Sequence, residues 1–422
     1  MSETTTTLII GGGTTGVGTA RDLAIRGVDV TVVERGGLAS GTSGSSHGQL
    51  HSGARYAEAD PEAAVECIEE NKILCDIGGH CIDDTGGLFV QLEDDDPEYF
   101  ERKRDACRDS GIEAIEIDGD EAKERVPELN DSVERAIVIP DDAVIYPSRL
   151  TAANAEDAVR HGATVHTNAP VDDITVSDGE IESVTVGGET NTTINPEYVI
   201  NATGPWADQI GAMAGVDFNM KPTKGVMLSV DYDDLGPVIS RCRDPADGDI
   251  IIPHENEAVL GTTSIEVEDP DSYPQEEWEI ERMYEECAAM VPGIADAETI
   301  RTWWACRPLY APDESHRTDS GEGDERSISR NFVLLDHERD GVENFTSIVG
   351  GKLTTYRRMA EATADHVADI LGVEAESATA DNQLPGAEDP EELDRLVNKY
   401  SEPQPTDEGV VADMSSDAVA GD

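Results

Sequence analysis

The sequence predicts an α/β fold in which a parallel βαβ layer is joined to a second, mostly antiparallel sheet. Near the N-terminus, an apolar run at residues 7–10 is followed at once by the glycine pattern Gly11-x-Gly13-x-x-Gly16. A second apolar run at 30–33 ends on the acid Glu34. From about residue 217 the pattern changes to short alternating strands around one helix. The first two observations predict a Rossmann-like domain, and the third predicts an antiparallel one.

The glycine pattern indicates that the first domain binds a dinucleotide. Gly11 allows the tight turn, Gly13 lets the backbone approach a pyrophosphate, and Gly16 lets the helix pack against the strand. The helix N-terminus offers free N–H groups and the positive end of its dipole to the phosphates. Glu34 is placed to accept hydrogen bonds from a ribose. A glycine-rich loop without a ligand would explain the glycines, but not the strands, the helix and the acid at this spacing.

The charge of the chain limits its classes of partner. Its 422 residues include 90 Asp and Glu against 30 Lys and Arg, a formal net charge of −60 that is spread along the chain. Such a surface is typical of a protein that works in concentrated salt, where ions screen the repulsion. It excludes nucleic acid as a partner, because no basic face can neutralise phosphates. Since the sequence has neither a signal peptide nor about 18 consecutive apolar residues, we expect a cytoplasmic protein with no direct membrane span.

The seven cysteines are scattered along the chain, with no C-x-x-C pair. Their odd number argues against a disulfide framework, and their spacing does not match a metal site. Cys67 and Cys75 share an apolar helical face, which favours packing in the core. The sequence therefore predicts no metal site.

The first domain is predicted in several segments, with the second domain inserted between them. Helices are expected at 60–75, after Asp60-Pro61, and at 148–161 with Ser148 as the N-cap. The last residues are acidic, poor in aromatics and rich in Pro, Ser and Asp, which indicates disorder. We divide the chain into a first domain at 1–85, 146–216 and 336–386, a second domain at 86–145 and 217–335, and a disordered tail at 387–422.

Three stretches of this acidic chain, 35–57, 299–312 and 344–360, contain no Asp or Glu. Burial alone would explain the missing acids. The stretches nevertheless hold bases, which are rarely buried for packing: Arg55, Arg307, Lys352, Arg357 and Arg358. Cations kept apart from local acids indicate an anion site, and guanidinium groups suit a phosphate or a carboxylate because they bind its oxygens in a fork. Lys224, outside these stretches, is a further candidate to face the anion, but its assignment to the solvated surface is preferred.

Five motifs in chain order resemble the FAD-dependent glycerol-3-phosphate dehydrogenases of the anaerobic A-subunit type. They are SSHGQLHSGARY at 45–56, NATGPWAD at 201–208, LGTT at 260–263, RPL at 307–309 and GGKLTTYR at 350–357, and LPG at 384–386 agrees as well. The resemblance covers residues 5–386. It implies the fold of D-amino-acid oxidase, with a Rossmann-like FAD-binding domain in several segments and an antiparallel-sheet substrate domain.

The resemblance implies that the dinucleotide is FAD rather than NAD. Glu34 would then bind the adenosine ribose, and the small residues at 40–48 would lie by the pyrophosphate and the flavin. The turn at Gly350 and Gly351 would close over the cofactor. The cofactor-binding residues that follow are Gly11, Gly13, Thr15, Gly16, Glu34, Arg35, Thr42, Ser43, Ser45, Ser46, His47, Gly204, Gly350, Gly351, Lys352, Leu353 and Thr354.

The resemblance further implies the oxidation of sn-glycerol 3-phosphate to dihydroxyacetone phosphate. The substrate-binding residues carried over by position are Arg55, Tyr56, Arg307, Arg330 and Lys352. The C2 hydrogen would leave as a hydride to flavin N5 while the C2 hydroxyl loses a proton. Arg307 and Lys352 are candidates to stabilise the developing alkoxide. His51 is the candidate general base, because an imidazole titrates near neutral pH, and a structural histidine beside the flavin is an equal alternative.

Family members usually extend into a cysteine-rich C-terminal region tied to electron transfer, whereas this chain has no cysteine after Cys306. The sequence therefore does not predict an iron–sulfur centre, and a shortened form and another electron route are both open. The resemblance implies partner subunits that pass electrons to membrane quinone and hold the protein at the inner face of the cell membrane. Two alternative functions stay open: a flavin oxidase or dehydrogenase of the same fold that acts on an amino or 2-hydroxy acid, and a non-catalytic flavin subunit.

Overall fold

The computed structural model describes residues 2–233, 235–254, 256–310, 331–387, 389–401 and 403–407. The α-helices within these ranges are α1 (Thr14–Ile25), α2 (Pro61–Gly78), α3 (Pro97–Asp109), α4 (Gly119–Arg125), α5 (Pro147–Arg160), α6 (Ala207–Met213), α7 (Glu277–Met290), α8 (Tyr356–Leu371) and α9 (Pro390–Tyr400).

The strands within the same ranges are β1 (Ser2–Ile10), β2 (Val30–Val33), β3 (Gln49–Leu50), β4 (Ile82–Asp83), β5 (Gly87–Leu92), β6 (Ile115–Asp118), β7 (Val133–Ile139), β8 (Ala143–Ile145), β9 (Thr164–His166), β10 (Val171–Ser177), β11 (Glu180–Val186), β12 (Thr192–Asn201), β13 (Met220–Asp231), β14 (Val238–Arg241), β15 (Ile250–His254), β16 (Glu257–Gly261), β17 (Ile265–Glu266), β18 (Thr299–Tyr310), β19 (Phe332–Asp336) and β20 (Phe345–Gly350).

The first sheet has a parallel centre. Its path runs β10-β11-β12-β1-β2-β9, and β20 pairs with the C-terminal end of β12. The strands β9, β2, β1, β12 and β20 are parallel, so their carboxyl ends lie at one edge of the sheet. In an α/β sheet this edge is where ligands bind.

The second sheet is mostly antiparallel and follows the path β17-β13-β16-β15-β14-β5-β7-β6, with β18 along the other side of β13. Only the β14–β5 pair among the described strands of this sheet is parallel. The two sheets together confirm the predicted fold class. The predicted second domain extended to residue 335, but β19 pairs with β20 in the first sheet.

Each sheet buries its own apolar core. In the first sheet, Ala20 and Leu23 of α1 pack in one cluster with Ile9 and Val30. In the second sheet, Met283, Cys287 and Met290 of α7 pack against the apolar faces of β13 and β16. Cys67 and five other cysteines are buried, whereas Cys75 is exposed. The core prediction is therefore confirmed for Cys67 and wrong for Cys75.

The acidic tail was expected to be disordered, and this expectation is wrong for its first half. Residues Pro390–Tyr400 form α9, which buries Leu393, Leu396 and Val397. The three side chains recur at helical spacing, so one face of α9 is apolar and packs beside α5. Residues 408–422 lie outside the described residues. The described helices include none that is long and apolar enough to cross a membrane.

Candidate active site

A cleft of about 380 Å³ opens at the carboxyl edge of the first sheet. Gly11 leaves β1 with a φ of 111°, and Gly13, Thr14 and Thr15 at the start of α1 line the cleft. Gly16 does not line it. A Cβ at Gly16 would lie 2.0 Å from the Gly11 carbonyl oxygen. The absence of a side chain at Gly16 therefore lets α1 approach the turn and point its N-terminus at the cleft.

Glu34 follows β2 and is held on the cleft wall by the backbone. The N–H groups of Gly12 and Gly36 donate to its two carboxylate oxygens at 2.7 and 2.9 Å. An ionised carboxylate has further lone pairs, and those of Glu34 can accept hydrogen bonds from a ribose diol. This geometry suits the role that the sequence predicted for Glu34.

The loop after β2 forms the floor of the cleft and is tied to the second sheet. Thr42 Oγ1 donates to the Cys306 carbonyl at 2.5 Å, and Trp303 Nε1 donates to the Ser45 carbonyl at 3.1 Å. Cys306 and Trp303 both belong to β18. The floor of the cofactor cleft and the strand that carries Arg307 are thus fixed relative to one another.

The turn after β20 closes the other side of the cleft. Gly350 and Gly351 have φ values of 83° and 82°, which strain any residue with a side chain. A Cβ at Gly351 would lie 2.2 Å from Met359 Sδ. Lys352 and Leu353 line the cleft, but Thr354 does not. Thr354 is buried, and its Oγ1 accepts from the His51 N–H at 3.1 Å.

One end of the cleft was not predicted from the sequence. It is lined by apolar side chains, which look like ordinary core residues in the sequence: Ala169, Pro170, Val171, Ile210 and Met213. Trp206, in the 201–208 motif, also lines the cleft, and the Arg35 guanidinium stacks 4.0 Å from the centroid of its ring. Arg35 also pairs with Asp271 at 3.0 Å.

A second cleft of about 130 Å³ adjoins the first. The two share Thr42, Ser46, Pro308, Gly351, Lys352 and Leu353 as lining residues. The smaller cleft brings together several predicted site residues: Ser45, His47, His51, Tyr56, Arg307 and Lys352. Ser45 and His47, which were assigned to the cofactor, line this smaller cleft and not the larger one.

Arg307 enters the small cleft from β18 and is held by the 260–263 motif. Its Nη2 donates to Thr262 Oγ1 at 3.3 Å and to the Thr263 carbonyl at 3.1 Å. Lys224 lies behind this motif, where its Nζ donates to Glu279 at 2.6 Å in a fully buried ion pair. Our assignment of Lys224 to the solvated surface is therefore wrong. A buried carboxylate supplied by α7 neutralises it.

Lys352, Tyr56 and His51 form one cluster that also lines the small cleft. Lys352 Nζ lies 5.0 Å from the centroid of the Tyr56 ring, a cation–π contact. The Tyr56 and His51 ring centroids are 5.3 Å apart, and His47 follows 5.8 Å beyond His51. Lys352 takes part in no ion pair with the described acids, which leaves its charge available to an anion.

The turn that carries Tyr56 is fixed by two buried polar side chains, Asp142 and Lys103. Asp142 accepts from the Ser52 N–H at 2.8 Å, and burial raises the pKa of this carboxyl to about 6. Lys103 donates to the Ala54 and Arg55 carbonyls at 3.3 and 3.2 Å, and burial lowers the pKa of its ammonium group. These contacts position the backbone between His51 and Tyr56.

Several bases predicted for the anion site do not line either cleft. The guanidinium of Arg55 lies 3.9 Å from the carboxylate of Asp249 and does not line either cleft. Arg357 is buried against Glu70, and Arg358 lies near Glu66 at the surface. Stretches without acids in the sequence are therefore not free of acids in space. Arg330 lies outside the described residues.

The larger cleft fits a flavin dinucleotide. Ser46 and Trp206 line it, and the Oγ atom of Ser46 and the Nε1 atom of Trp206 are each buried without a hydrogen-bond partner among the described residues. Buried polar atoms need partners, and the hydroxyls, phosphates and ring atoms of FAD can supply them. A dinucleotide cleft that opens into a small pocket with basic side chains defines a flavin-dependent oxidoreductase for an anionic substrate.

The family model described as FAD dependent oxidoreductase matches residues 6–357, and the chain belongs to that family. Its cofactor is FAD. The chain is 50% identical, over 402 residues, to the A1 subunit of the anaerobic glycerol-3-phosphate dehydrogenase of Haloferax volcanii, covering 92% of this chain and 68% of that protein. It is 41% identical to the A-type subunit of the same enzyme in Escherichia coli K12, covering 93% and 72%. The resemblance to this group and the assignment of FAD are confirmed.

A solved structure agrees with the fold. The glycerol-3-phosphate dehydrogenase of Bacillus halodurans, solved in complex with FAD, superposes with a TM-score of 0.70 at 25% identity. The match covers 94% of this chain and 71% of that chain. The fold, the family and the cofactor are thus established independently of the individual side chains of the small cleft.

Proposed function

We propose that the protein is the FAD-containing subunit that oxidises sn-glycerol 3-phosphate to dihydroxyacetone phosphate. The observation that carries the proposal is the small cleft beside the cofactor cleft, where Arg307 and Lys352 supply two positive charges. The relatives from Haloferax volcanii and Escherichia coli, both named as glycerol-3-phosphate dehydrogenases, support the same substrate.

The charges of the small cleft suit a dianionic phosphate. Arg307 presents a planar guanidinium, which binds phosphate oxygens in a fork, and Lys352 adds a point charge. In a protein with a net charge of −60, an anion would be repelled by most of the surface. Two cations at the mouth of the flavin site offset that repulsion locally and orient the substrate with C2 toward the cofactor.

When bound, FAD would supply the redox chemistry as the acceptor of the hydride from C2. The residues of the small cleft supply the rest. His51 is our candidate for the base that takes the proton of the C2 hydroxyl, a contribution of roughly 10²–10⁴ in rate. Lys352 and Arg307 are our candidates to stabilise the negative charge that develops on the C2 oxygen. The backbone of His51 is held by Thr354, which fixes the ring beside Tyr56.

We infer that the electrons pass onward through partner subunits to membrane quinone. The relatives in Haloferax volcanii and Escherichia coli are each named as one subunit of their enzyme, which supports an assembly of several different chains. On this proposal the protein lies in the cytoplasm, at the inner face of the cell membrane, through those partners.

The test is reduction of the flavin by the substrate without oxygen. The protein would be purified in molar KCl, mixed with sn-glycerol 3-phosphate, and followed at the flavin band near 450 nm. Rapid bleaching that glycerol and the other enantiomer do not produce is the expected result. Bleaching by an amino or 2-hydroxy acid instead would move the function to another oxidase or dehydrogenase of this fold. A flavin that no substrate reduces would indicate a non-catalytic role.

A further inference from the structure

Gln49 is a polar side chain of the small cleft to which the sequence assigned no role. It lies on β3 between His47 and His51, and it lines the small cleft together with Met227 and Arg307. Only 3% of its surface is exposed. Its Oε1 is buried and has no hydrogen-bond partner among the described residues.

A buried amide oxygen without a partner is unfavourable, since it has lost water and gained nothing in return. An apolar side chain of similar length would fill this position without that cost. The free energy would be recovered if a ligand in the cleft made the missing hydrogen bond. Gln49 therefore has the properties of a group that binds a ligand and not those of a packing residue.

The chemistry of the amide favours a hydroxyl group as its partner. An amide offers an acceptor and a donor at nearly the same place, and the two exchange when the group turns by about 180°. A hydroxyl can donate or accept, so it satisfies either orientation. A phosphate dianion only accepts, so it would satisfy the amide in just one of these two orientations. The cations Arg307 and Lys352 already provide for the phosphate.

We propose that Gln49 is a specificity-determining residue that binds the terminal C1 hydroxyl of the substrate. This inference rests on the proposed function, in which the C2 oxygen faces the candidate base and the cations. The C1 hydroxyl is then the remaining group of glycerol 3-phosphate that can donate to Gln49. The ribityl chain of FAD also carries hydroxyls, and the experiment separates the two sources.

The test compares two substrates in two proteins. The substrates are sn-glycerol 3-phosphate and 2-hydroxypropyl phosphate of the same configuration at C2, which lacks only the terminal hydroxyl. We expect the wild-type protein to prefer the complete substrate by about tenfold in kcat/KM, the factor of one buried neutral hydrogen bond. Gln49→Leu should abolish the preference by lowering kcat/KM for the complete substrate alone, and the affinity for FAD should stay unchanged.

The controls keep the inference falsifiable. Gln383→Leu makes the same chemical change at an exposed position and should leave all kinetic constants unchanged. If Gln49→Leu does not fold, Gln49→Met repeats the test with a more flexible side chain. Equal losses for both substrates, an unchanged preference, or a loss of FAD affinity would overturn the role of Gln49. A wild-type protein that neither phosphate reduces would overturn the proposed function itself.

Discussion

Replacing Glu279 with Gln tests how the cleft residue Arg307 is positioned. Glu279 is fully buried on α7, where its carboxylate accepts from Lys224 Nζ at 2.6 Å, Thr263 Oγ1 at 2.9 Å and Trp304 Nε1 at 3.3 Å. The Thr263 carbonyl in turn accepts from Arg307. One buried carboxylate thus supports the segment that holds the guanidinium in the cleft.

The size of the effect follows from the burial of the pair. Lys224 is only 2% exposed, so after Glu279→Gln its ammonium charge has no water and no carboxylate beside it. Removing one partner of a buried ion pair costs about 3–5 kcal/mol, whereas replacing both by neutral side chains is often close to neutral. We therefore expect Glu279→Gln to destabilise the fold by that amount, and Lys224→Met combined with Glu279→Gln to recover most of it.

The assay is unfolding by denaturant in molar KCl. It compares the wild type, Glu279→Gln, Lys224→Met and the double variant. Glu285→Gln is a matched control, because it makes the same change at an exposed position of the same helix. It should change the free energy of unfolding by less than about 0.5 kcal/mol. The reasoning would be refuted if Glu279→Gln cost under about 1 kcal/mol, or if the double variant were no more stable than Glu279→Gln. We also expect Glu279→Gln to raise KM for sn-glycerol 3-phosphate, since Arg307 loses its support.

Three further predictions concern the cofactor, the substrate and the C-terminal segment. Glu34→Ala should weaken FAD binding about tenfold or more, because it removes a charged acceptor of the ribose; fluorescence titration measures it, and an unchanged affinity would contradict the role. Lys352→Met should lower kcat/KM for sn-glycerol 3-phosphate by roughly 10²–10³ in a steady-state assay, and a loss below tenfold would remove Lys352 from the site. Burial raises the pKa of Asp407 from 3.8 to about 6. The folded state then keeps a proton that the unfolded state releases, so stability falls as the pH rises through this window, by up to about 3 kcal/mol. For Asp407→Asn, the free energy of unfolding should not fall in this way between pH 4 and pH 7. If the free energies of the wild type and the variant changed equally over this range, the pKa of Asp407 would be ordinary.

The N-terminal unit could be predicted well because its signals are local. The turn at Gly11, the contact between Gly16 and that turn, and the position of Glu34 all depend on residues within one βαβ unit. A glycine is required at position 16 by a contact only five residues away in the sequence. Such constraints are visible in the chain itself, so the fold class and the nucleotide site followed from them.

The bases that line the small cleft were predicted less well because charge pairing is a long-range property. Arg55 lies in a stretch without acids, yet its guanidinium lies 3.9 Å from the carboxylate of Asp249, which directly precedes β15 of the second sheet. Arg357 likewise pairs with Glu70 of α2. In both cases the partner comes from another part of the chain, which no window of sequence reveals. Arg307 and Lys352 reach the cleft because the strand β18 and the glycine turn carry them there, and not because their own neighbours lack acids.

The C-terminal segment shows how composition can conceal a buried structure. Leu393, Leu396 and Val397 give α9 an apolar face. The surrounding acids lower the average hydropathy of the segment, so its composition predicted disorder. We expected Ser148 to cap α5, whereas Asp407 does so, accepting from the Ser148 N–H and Oγ at 3.0 Å each. A cap supplied from 259 residues away has no local signal. Thr406 Oγ1 also donates to the Ser46 carbonyl in the cofactor loop. Asp407 thus fixes this segment against α5, and Thr406 fixes it against the cofactor loop. Counting the acids of the segment as solvated therefore misjudged both its order and its proximity to the cofactor cleft.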